Sequence, residues 1–281
     1  MLLSHRCFGF GILGRGKETI MTYSLQKASV WKRFSAFLFD AVILFTVAIG
    51  IAAGVSAIVK YDNTSAIYET LEEYHMNQVE EKYKDFGITF DKPREEYEGD
   101  QLTKYNEAVD ELNKNRQSDI LLAHYYTLLV NKTMIIVALS LLIAFIGLEF
   151  VVPLFFKHGR TLGKKLFGIG VMHTNGVRVR GVSVFVRSIL MKYAVETMIP
   201  ASVVLQILLG SGGMIGIILT FIILASHIIM PLVTKTNSAL HDGFSSTVVI
   251  DYATQRIFES EEELIEYKKE QAAKLAAERR Y

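Results

Sequence analysis

Long apolar runs alternate with strongly charged segments along this chain of 281 residues. The first run is the longest, and Asp40 is the only charged residue within it. Because roughly 20 apolar residues are enough for a helix to cross a lipid bilayer, runs of this kind predict membrane-spanning helices. Four of them can be drawn, at residues 34–59, 134–156, 194–209 and 214–233. The pattern therefore predicts an all-α integral membrane protein with four transmembrane helices.

The third run has the weakest pattern, since it is short and contains Glu196, Pro200 and Gln206. It is separated from the fourth run by the sequence Gly-Ser-Gly-Gly at residues 210–213, a composition typical of a tight turn. The last two runs are therefore expected to form a transmembrane helical hairpin.

The charge of the connecting segments predicts how the chain crosses the membrane. Residues 60–119 hold 16 acidic and 8 basic side chains, whereas residues 157–192 hold 8 basic and no acidic ones. Cytoplasmic loops carry an excess of lysine and arginine, so the second segment is expected in the cytoplasm. With four spans, both termini then lie in the cytoplasm as well. We expect a multi-pass protein of the cell membrane, with the acidic segment on the outer side.

The acidic segment at residues 60–131 is too long for a simple turn, and its apolar residues recur at helical spacing. Gly87 and Pro93 interrupt that spacing, which predicts an extracytoplasmic helical hairpin. Its second arm, from about Arg94, is expected to continue into the second span. Solvation explains the acidic surface, and a protein partner of this ectodomain is the alternative.

These features divide the chain into consecutive segments with one insert. Residues 1–29 form an N-terminal cytoplasmic segment, residues 30–251 the membrane domain with the insert at 60–131, and residues 252–281 a charged cytoplasmic helical tail. Residues 1–20 are rich in glycine and lack a cleavage motif after their short apolar stretch. We therefore expect translation from Met21 rather than a signal peptide.

Two short segments on the basic side have the composition of strands. Residues 166–173 alternate loosely and are followed by Asn175-Gly176, a dipeptide that favours a hairpin turn, and residues 246–250 are rich in β-branched side chains. We expect the two segments to pair into a small cytoplasmic β element. Between them, residues 182–192 have the pattern of an amphipathic helix that lies at the membrane interface.

Three ionisable residues lie within the predicted spans at a common depth. On a helix that rises about 1.5 Å per residue, Asp40, Glu149 and His227 fall roughly 9 to 11 Å from the cytoplasmic ends of their runs. Charged groups at this depth point into the bundle, where these can pair with each other, with Arg33 or with water. They form either a structural polar network or a path for a proton or small cation.

The segment that follows the last span adds a further titratable pair. His241 and Asp242 are adjacent, and a carboxylate can raise the basicity of an imidazole, which is the arrangement of a proton relay. A turn that depends only on Asp242 and Gly243 explains the same residues without any chemistry. The residues alone leave both interpretations open.

Other chemistry is not supported by the sequence. Cys7 is the only cysteine, so neither an internal disulfide nor a cysteine metal site can form within one chain. GRTLGKK at residues 159–165 lacks the spacing of a phosphate-binding loop, and we expect Thr161 to cap a turn there while Lys164 and Lys165 contact anionic headgroups. With no set of nucleophile and base, we expect no enzyme activity, no cofactor and no nucleic-acid partner.

An ordered set of motifs is similar to one family of membrane proteins. It comprises Arg33-x-x-Ala36-x-x-x-Asp40, GRTLGKKLFGIGV at residues 159–171, Arg187, and LHDGFSSTVV at residues 240–249. The chain resembles the RDD family, which is named for one arginine and two aspartates, here Arg33, Asp40 and Asp242. The resemblance implies a membrane domain over residues 30–251, and members of the family are associated with cation/proton antiport. The acidic insert is longer than the family's usual connection.

Two functions follow as expectations. In the first, the protein transports a small cation or a proton, with Asp40 as the binding carboxylate and with Arg33 and Asp242 at its cytoplasmic entrance. The further candidate residues for this path are Glu149, His227 and His241. Four spans are few for a complete pathway, so a homo-oligomer in the lipid bilayer is expected. In the second, the protein is a non-transporting scaffold or sensor that binds partners through its acidic ectodomain and charged tail.

Overall fold

A computed structural model describes residues 25–156, 158–210 and 213–278, and most of them are helical. The prediction of a start at Met21 lies outside the described residues. In chain order the elements are α1 (Val30–Ile58), α2 (Tyr61–Lys82), α3 (Gly99–Ser118), α4 (Ile120–Phe155), α5 (Leu162–Leu166), β1 (Ile169–His173), α6 (Gly181–Leu208), α7 (Met214–Val233), α8 (Leu240–Phe244), β2 (Thr247–Asp251) and α9 (Glu261–Glu278).

Four of these helices, α1, α4, α6 and α7, are long and apolar enough to cross a membrane, which confirms the four predicted spans. Much of their surface is apolar and exposed, as at Ile49 (71% exposed) and Ile215 (77% exposed). Such a surface is stable against lipid but not against water. Packing between α1 and α4 is close on one face, where Leu44 and Ala48 pack against Ala144. The chain is therefore a membrane protein.

The third span is longer than predicted and includes the segment assigned to an interfacial helix. α6 is continuous over Gly181–Leu208, so residues 182–192 form its first turns rather than a separate surface helix. Its basic side chains can lie within a span because Arg187 and Lys192 pair with acidic side chains inside the protein. Residues 182–192 are therefore helical, as predicted, but continuous with the third span, and their position at the membrane interface stays a prediction.

The insert between the first two spans is a helical hairpin, as predicted. α2 and α3 pack around a small core of their own, in which Val79 and Ala108 are buried. The second arm does not continue into the span, because Asp119 ends α3 and starts α4 by accepting two backbone N–H groups at 2.7 and 3.1 Å. His75 of α2 lies 2.7 Å from the Asp119 carboxylate. This contact ties the corner between hairpin and span to the first arm.

The two predicted strands pair with each other. β1 and β2 are antiparallel, in a register that runs from Ile169 opposite Asp251 to His173 opposite Thr247. The Asn175-Gly176 dipeptide forms a tight turn directly after β1, in which Gly176 adopts a φ of +91° that a side chain would disfavour. The sequence therefore placed this small sheet correctly.

Candidate functional site

Polar side chains converge at the end of the bundle that lies next to the β1–β2 sheet. α1 and α6 begin at this end, while α4 and α7 finish there, so charged residues near these helix ends meet. The contacts among the described residues fall into four groups, centred on Asp40, Asp242, Glu149 and Glu196. We describe each group in turn.

Asp40 holds the short helix α5 against α1. Its Oδ2 accepts a hydrogen bond from the Thr161 hydroxyl at 2.5 Å, and its Oδ1 accepts one from the Gly163 N–H at 2.7 Å. A carboxylate at the start of a helix is stabilised by the unpaired N–H groups there. Ala36, which is 1% exposed, leaves the room that α5 needs to approach. Asp40 thus has the contacts of a helix cap, with both oxygens occupied by hydrogen-bond donors.

Arg33 connects the start of α1 to the segment after α7 and to β2. Its guanidinium donates a hydrogen bond to the Asn237 carbonyl and another, at 2.6 Å, to the Val249 carbonyl. Arg33 and Asp40 share a face of α1, but each bonds to a different part of the chain. The two residues therefore fasten α1 to α5 and to the sheet at separate points.

Asp242 forms a buried ion pair with Arg187 of α6. The guanidinium lies 2.5 Å from Asp242 Oδ1, and the two side chains are only 7% and 2% exposed. Burial alone would raise the pKa of the Asp242 carboxyl, but the charges of Arg187, His241 and Arg33 and the Ala239 N–H together outweigh burial, so the pKa lies below its usual value. Asp242 is therefore an ionised carboxylate that joins α8 to the third span.

Glu149 pairs with Lys192 between the second and third spans. The Lys192 Nζ lies 2.7 Å from Glu149 Oε2, with 14% and 8% of the side chains exposed. Both residues lie in π-helical segments, Ile146–Val151 of α4 and Val186–Thr197 of α6. π-helical segments are rare in proteins overall, and those that occur are often found at functional sites. The two π-helical segments therefore make the Glu149–Lys192 contact a candidate part of a functional site.

Lys164, at the start of α5, is buried beside the Glu149–Lys192 pair rather than exposed to headgroups. Only 7% of this residue is exposed, which corrects the expectation that its ammonium contacts lipid phosphates. Burial, and then the charge of Lys192, lower the pKa of the Lys164 ammonium to about 7. Lys165, by contrast, is exposed and lies over the Phe156 ring at 4.1 Å from its centroid.

We expect Lys164→Met to reduce the pH dependence of stability. The unfolded chain binds a proton at this lysine up to its ordinary pKa of 10.5, whereas the folded protein releases it near pH 7. Between these values the unfolded state holds more protons, so wild-type stability rises with pH, by up to about 1.4 kcal/mol per pH unit from this group. Unfolding in detergent at pH 7, 8 and 9 measures the slope. Lys165→Met is the control and should keep the wild-type slope.

Glu196 of α6 is contacted by two histidines from different parts of the chain. His241 Nδ1 lies 2.9 Å from Glu196 Oε2, and His227 Nε2 lies 3.1 Å from the same oxygen. The carboxylate is 7% exposed, whereas His227 is 35% exposed and His241 13%. This group contains the residues with the chemistry closest to proton transfer, because imidazole and carboxylate exchange protons near neutral pH.

The hydrogen-bond partners of His227 place a proton between its ring and Glu196. His227 Nδ1 lies 2.8 Å from the backbone carbonyl of Ile223, which can only accept, so Nδ1 carries a hydrogen. A neutral imidazole then has a bare Nε2. Two bare acceptor atoms do not lie 3.1 Å apart without a proton between them, so either His227 Nε2 or the Glu196 carboxyl is protonated. The site holds one exchangeable proton in either form.

The three ionisable residues expected at a common depth do not pair with one another. Asp40 bonds to the start of α5, Glu149 to Lys192, and His227 to Glu196. The sequence analysis did not name Glu196 as a site residue. The sequence did contain an indication of its role, because Glu196 is the only acidic residue in the third apolar run. A lone carboxylate within a span is expected to point into the bundle, as was argued for Asp40.

The other residues that the sequence analysis did not place in the site are basic or neutral partners. They are Thr161, Lys164, Arg187 and Lys192. Each was assigned to a cap, to headgroups or to a surface helix, because their partners lie far away in the sequence. Over the described ranges, no group of three or more His, Cys, Asp and Glu is placed to hold a metal ion. The contacts in the polar cluster are ion pairs and hydrogen bonds.

Comparison with known proteins identifies the family of the chain. Comparison with curated proteins and with solved structures gives no match. The model of the RDD family matches residues 27–246, which include the four spans, β1, and the central residue of each of the four polar groups, and which end just before β2. The match covers far more than half of the 281 residues. The chain therefore belongs to the RDD family of membrane proteins.

Proposed function

We propose that this protein moves protons across the membrane, alone or in exchange for a small cation, and that Glu196 is its central proton-binding group. The observation that carries the proposal is the 3.1 Å contact between His227 Nε2 and Glu196 Oε2, two atoms that need a proton between them because His227 Nδ1 faces the Ile223 carbonyl. A proton that can be bound by either of two neighbouring atoms can be released with little rearrangement of the side chains. Ionisable residues within membrane spans are commonly part of such pathways.

Titratable groups continue from Glu196 towards the sheet end of the bundle. His241 Nδ1 is 2.9 Å from Glu196, and His241 Nε2 is 3.8 Å from Asp242 Oδ1. Burial is the largest influence on His241 and lowers the pKa of its imidazole, so the ring is neutral at physiological pH. In the tautomer that carries its hydrogen on Nε2, the bare Nδ1 can accept a proton from Glu196. His227, Glu196 and His241 therefore form an ordered series that leads from the span to the membrane boundary, the side that we assign to the cytoplasm.

The residues that define the family have a supporting role in this proposal. Arg33, Asp40 and Asp242 are all engaged in contacts that fasten helices together. We therefore move the proton-binding site from Asp40, where the sequence placed it, to Glu196. The association of the family with cation/proton antiport is consistent with a proton site at this position.

The exposure of His227 supports an oligomeric or water-filled path. About a third of its side chain, 35%, is exposed on a helix that otherwise presents apolar residues. A polar ring in contact with lipid is unfavourable, so this face is expected to meet water or a second copy of the chain. A homo-oligomer would also supply the helices that four spans lack for a complete pathway.

Proton flux in proteoliposomes tests the proposal. After a pH jump, a dye trapped inside reports proton entry for the wild type and for Glu196→Gln at matched incorporation. The glutamine keeps the shape and can donate to a neutral His227, but it cannot carry the proton, so flux should fall by about 100-fold or more. Glu73→Gln, an exposed position on the helical hairpin, is the matched control and should keep full flux.

Wild-type flux no greater than that of empty liposomes, with Na⁺, K⁺ or Li⁺ gradients also tested, would refute the proposal. The scaffold function would then be favoured, because the hairpin of α2 and α3 has its own hydrophobic core and presents an acidic surface to partners. Equal flux in wild type and Glu196→Gln would leave transport in place but would refute Glu196 as its site.

A further inference from the structure

One face of α7 packs against α6, and Glu196 lies on the interface between these two helices. Gly216 of α7 meets Val203 of α6, since a Cβ built on the glycine would lie 2.8 Å from a methyl carbon of the valine. Nearer the sheet, His227 of α7 meets Glu196 at 3.1 Å. Thr220 lies four residues after Gly216 and seven before His227, a spacing that places all three on one face of a helix. Thr220 therefore faces α6.

The hydroxyl of Thr220 differs from the other hydroxyls of the spans. Its Oγ1 is buried and has no hydrogen-bond partner among the described residues, a condition that no other hydroxyl in those ranges shares. Elsewhere in the spans a threonine bonds to its own helix: Thr46 donates to the Val42 carbonyl and Thr133 to the Leu129 carbonyl, each at 2.8 Å. A buried hydroxyl without a partner is unfavourable. A small polar molecule within the interface would satisfy it.

A backbone acceptor lies opposite Thr220 on α6. The contacts that Glu196 and Val203 make with α7 lie on either side of Pro200, which places this proline at the level of Thr220. Proline has no N–H, so the backbone carbonyl of Glu196, four residues earlier, lacks the donor that an α-helix would supply. The interface thus contains, at one level, a hydroxyl without a partner and a carbonyl without its helical donor.

Proton transfer from Glu196 towards the end of the bundle away from the sheet requires water. Residues 198–208 of α6 and 214–226 of α7 contain no titratable side chain, and Ser202 and Ser226 donate to carbonyls of their own helices. Thr220 is two turns, or roughly 10 Å, from His227 along α7. Because a proton passes directly only between atoms within hydrogen-bond reach, this interface can pass protons only along bound water.

We propose that Thr220 and the Glu196 carbonyl anchor a short file of water molecules, which carries protons between Glu196 and the end of the bundle away from the sheet. This inference rests on the proposed function of Glu196. The nearest water gives one proton to the Glu196–His227 pair and takes one from the next water, while the pair passes one to His241, so water and pair are restored. The Thr220 hydroxyl orients the file by donating to one water or accepting from it.

Proton flux in proteoliposomes tests the role of this hydroxyl. Thr220→Val replaces the hydroxyl by a methyl group of similar size, and we expect flux to fall about ten-fold through the loss of one hydrogen bond to the water. Thr220→Ser keeps the hydroxyl and should retain most of the wild-type flux, a rescue that packing alone would not explain. Thr46→Val is the matched control and should keep full flux, because the Thr46 hydroxyl bonds to its own helix.

Cysteine labelling tests for water at Thr220 without measuring transport. The full-length protein carries Cys7→Ser, which removes its only native cysteine, together with either Thr220→Cys or Leu219→Cys. Leu219 is the neighbouring position and is 45% exposed on the apolar surface of α7. Methanethiosulfonates react with the thiolate, which forms in contact with water rather than with lipid. We expect 2-aminoethyl methanethiosulfonate to modify Thr220→Cys in liposomes and to leave Leu219→Cys unmodified.

Three results would overturn the inference. They are wild-type flux in Thr220→Val, an equal loss of flux in Thr220→Ser and Thr220→Val, and a thiol in Thr220→Cys as unreactive as that in Leu219→Cys. The proposed function is tested separately by wild-type flux and by its loss in Glu196→Gln. Both can hold when Thr220→Val has no effect, in which case only the file of water is refuted. Absence of wild-type flux would instead refute the proposed function, and this inference with it.

Discussion

Asp242→Asn is expected to destabilise the protein by about 3–5 kcal/mol. The substitution keeps the size of the side chain but removes the charge that neutralises Arg187, and both side chains are almost fully buried. An arginine left without a counter-charge in such a position is much less stable than the intact pair. Reversible unfolding in mixed micelles measures the effect, and Asp91→Asn, on an exposed loop, is the control and should change stability by less than about 0.5 kcal/mol.

A double substitution separates the ion pair from the shape of the site. Arg187→Met combined with Asp242→Leu removes both charges and should be less destabilising than Asp242→Asn alone, because no unpaired charge remains. If Asp242→Asn were as stable as wild type, Arg187 could not depend on this carboxylate, and the account of the family's second aspartate as a fastening residue would be wrong.

Gly163→Ala is expected to destabilise the contact between α5 and α1 by about 3 kcal/mol. A Cβ at this position would lie 2.9 Å from Asp40 Cγ and closer still to the backbone carbonyl of Ala36. Backbone cannot move aside as a flexible side chain can, so α5 must shift and Asp40 loses its bond to the Gly163 N–H. The melting temperature in detergent, compared with wild type, reports the loss.

Gly50→Ala is the matched control, because nothing lies within 4 Å of an added Cβ there and the residue is in the interior of α1. Alanine favours helix over glycine by about 1 kcal/mol, so this variant should be as stable as wild type or more so. A wild-type melting temperature for Gly163→Ala would show that α5 is not packed closely against α1.

The sequence predicted the parts of the fold that depend on local pattern. Runs of apolar residues determine spans because an apolar helix is stable in lipid wherever it occurs in the chain, and all four spans were predicted. The strand pair was predictable because β-branched composition and the Asn175-Gly176 turn are local signals. The start of α6 was missed because it depends on the distant partners of Arg187 and Lys192, which make a basic segment compatible with the membrane.

The candidate site was less predictable for the same reason. The sequence placed Asp40, Glu149 and His227 at about the same distance from the cytoplasmic ends of their helices. That distance does not determine which faces of the helices contact each other. Glu196 contacts His241, a residue 45 positions away, and no spacing rule connects them. Asp40 was the most conspicuous charge in the chain, yet its partners on α5 occupy both of its oxygens.

The most direct test of the central claim compares Glu196→Gln with Asp40→Asn in the same proteoliposome assay. Proton flux is divided by the amount of folded protein, measured by size-exclusion chromatography and thermal unfolding of each sample. The account predicts that Asp40→Asn is less stable but keeps wild-type flux per folded molecule, whereas Glu196→Gln is folded and loses it. The reverse pattern, with flux lost in folded Asp40→Asn and kept in Glu196→Gln, would contradict the account and return the proton-binding site to Asp40.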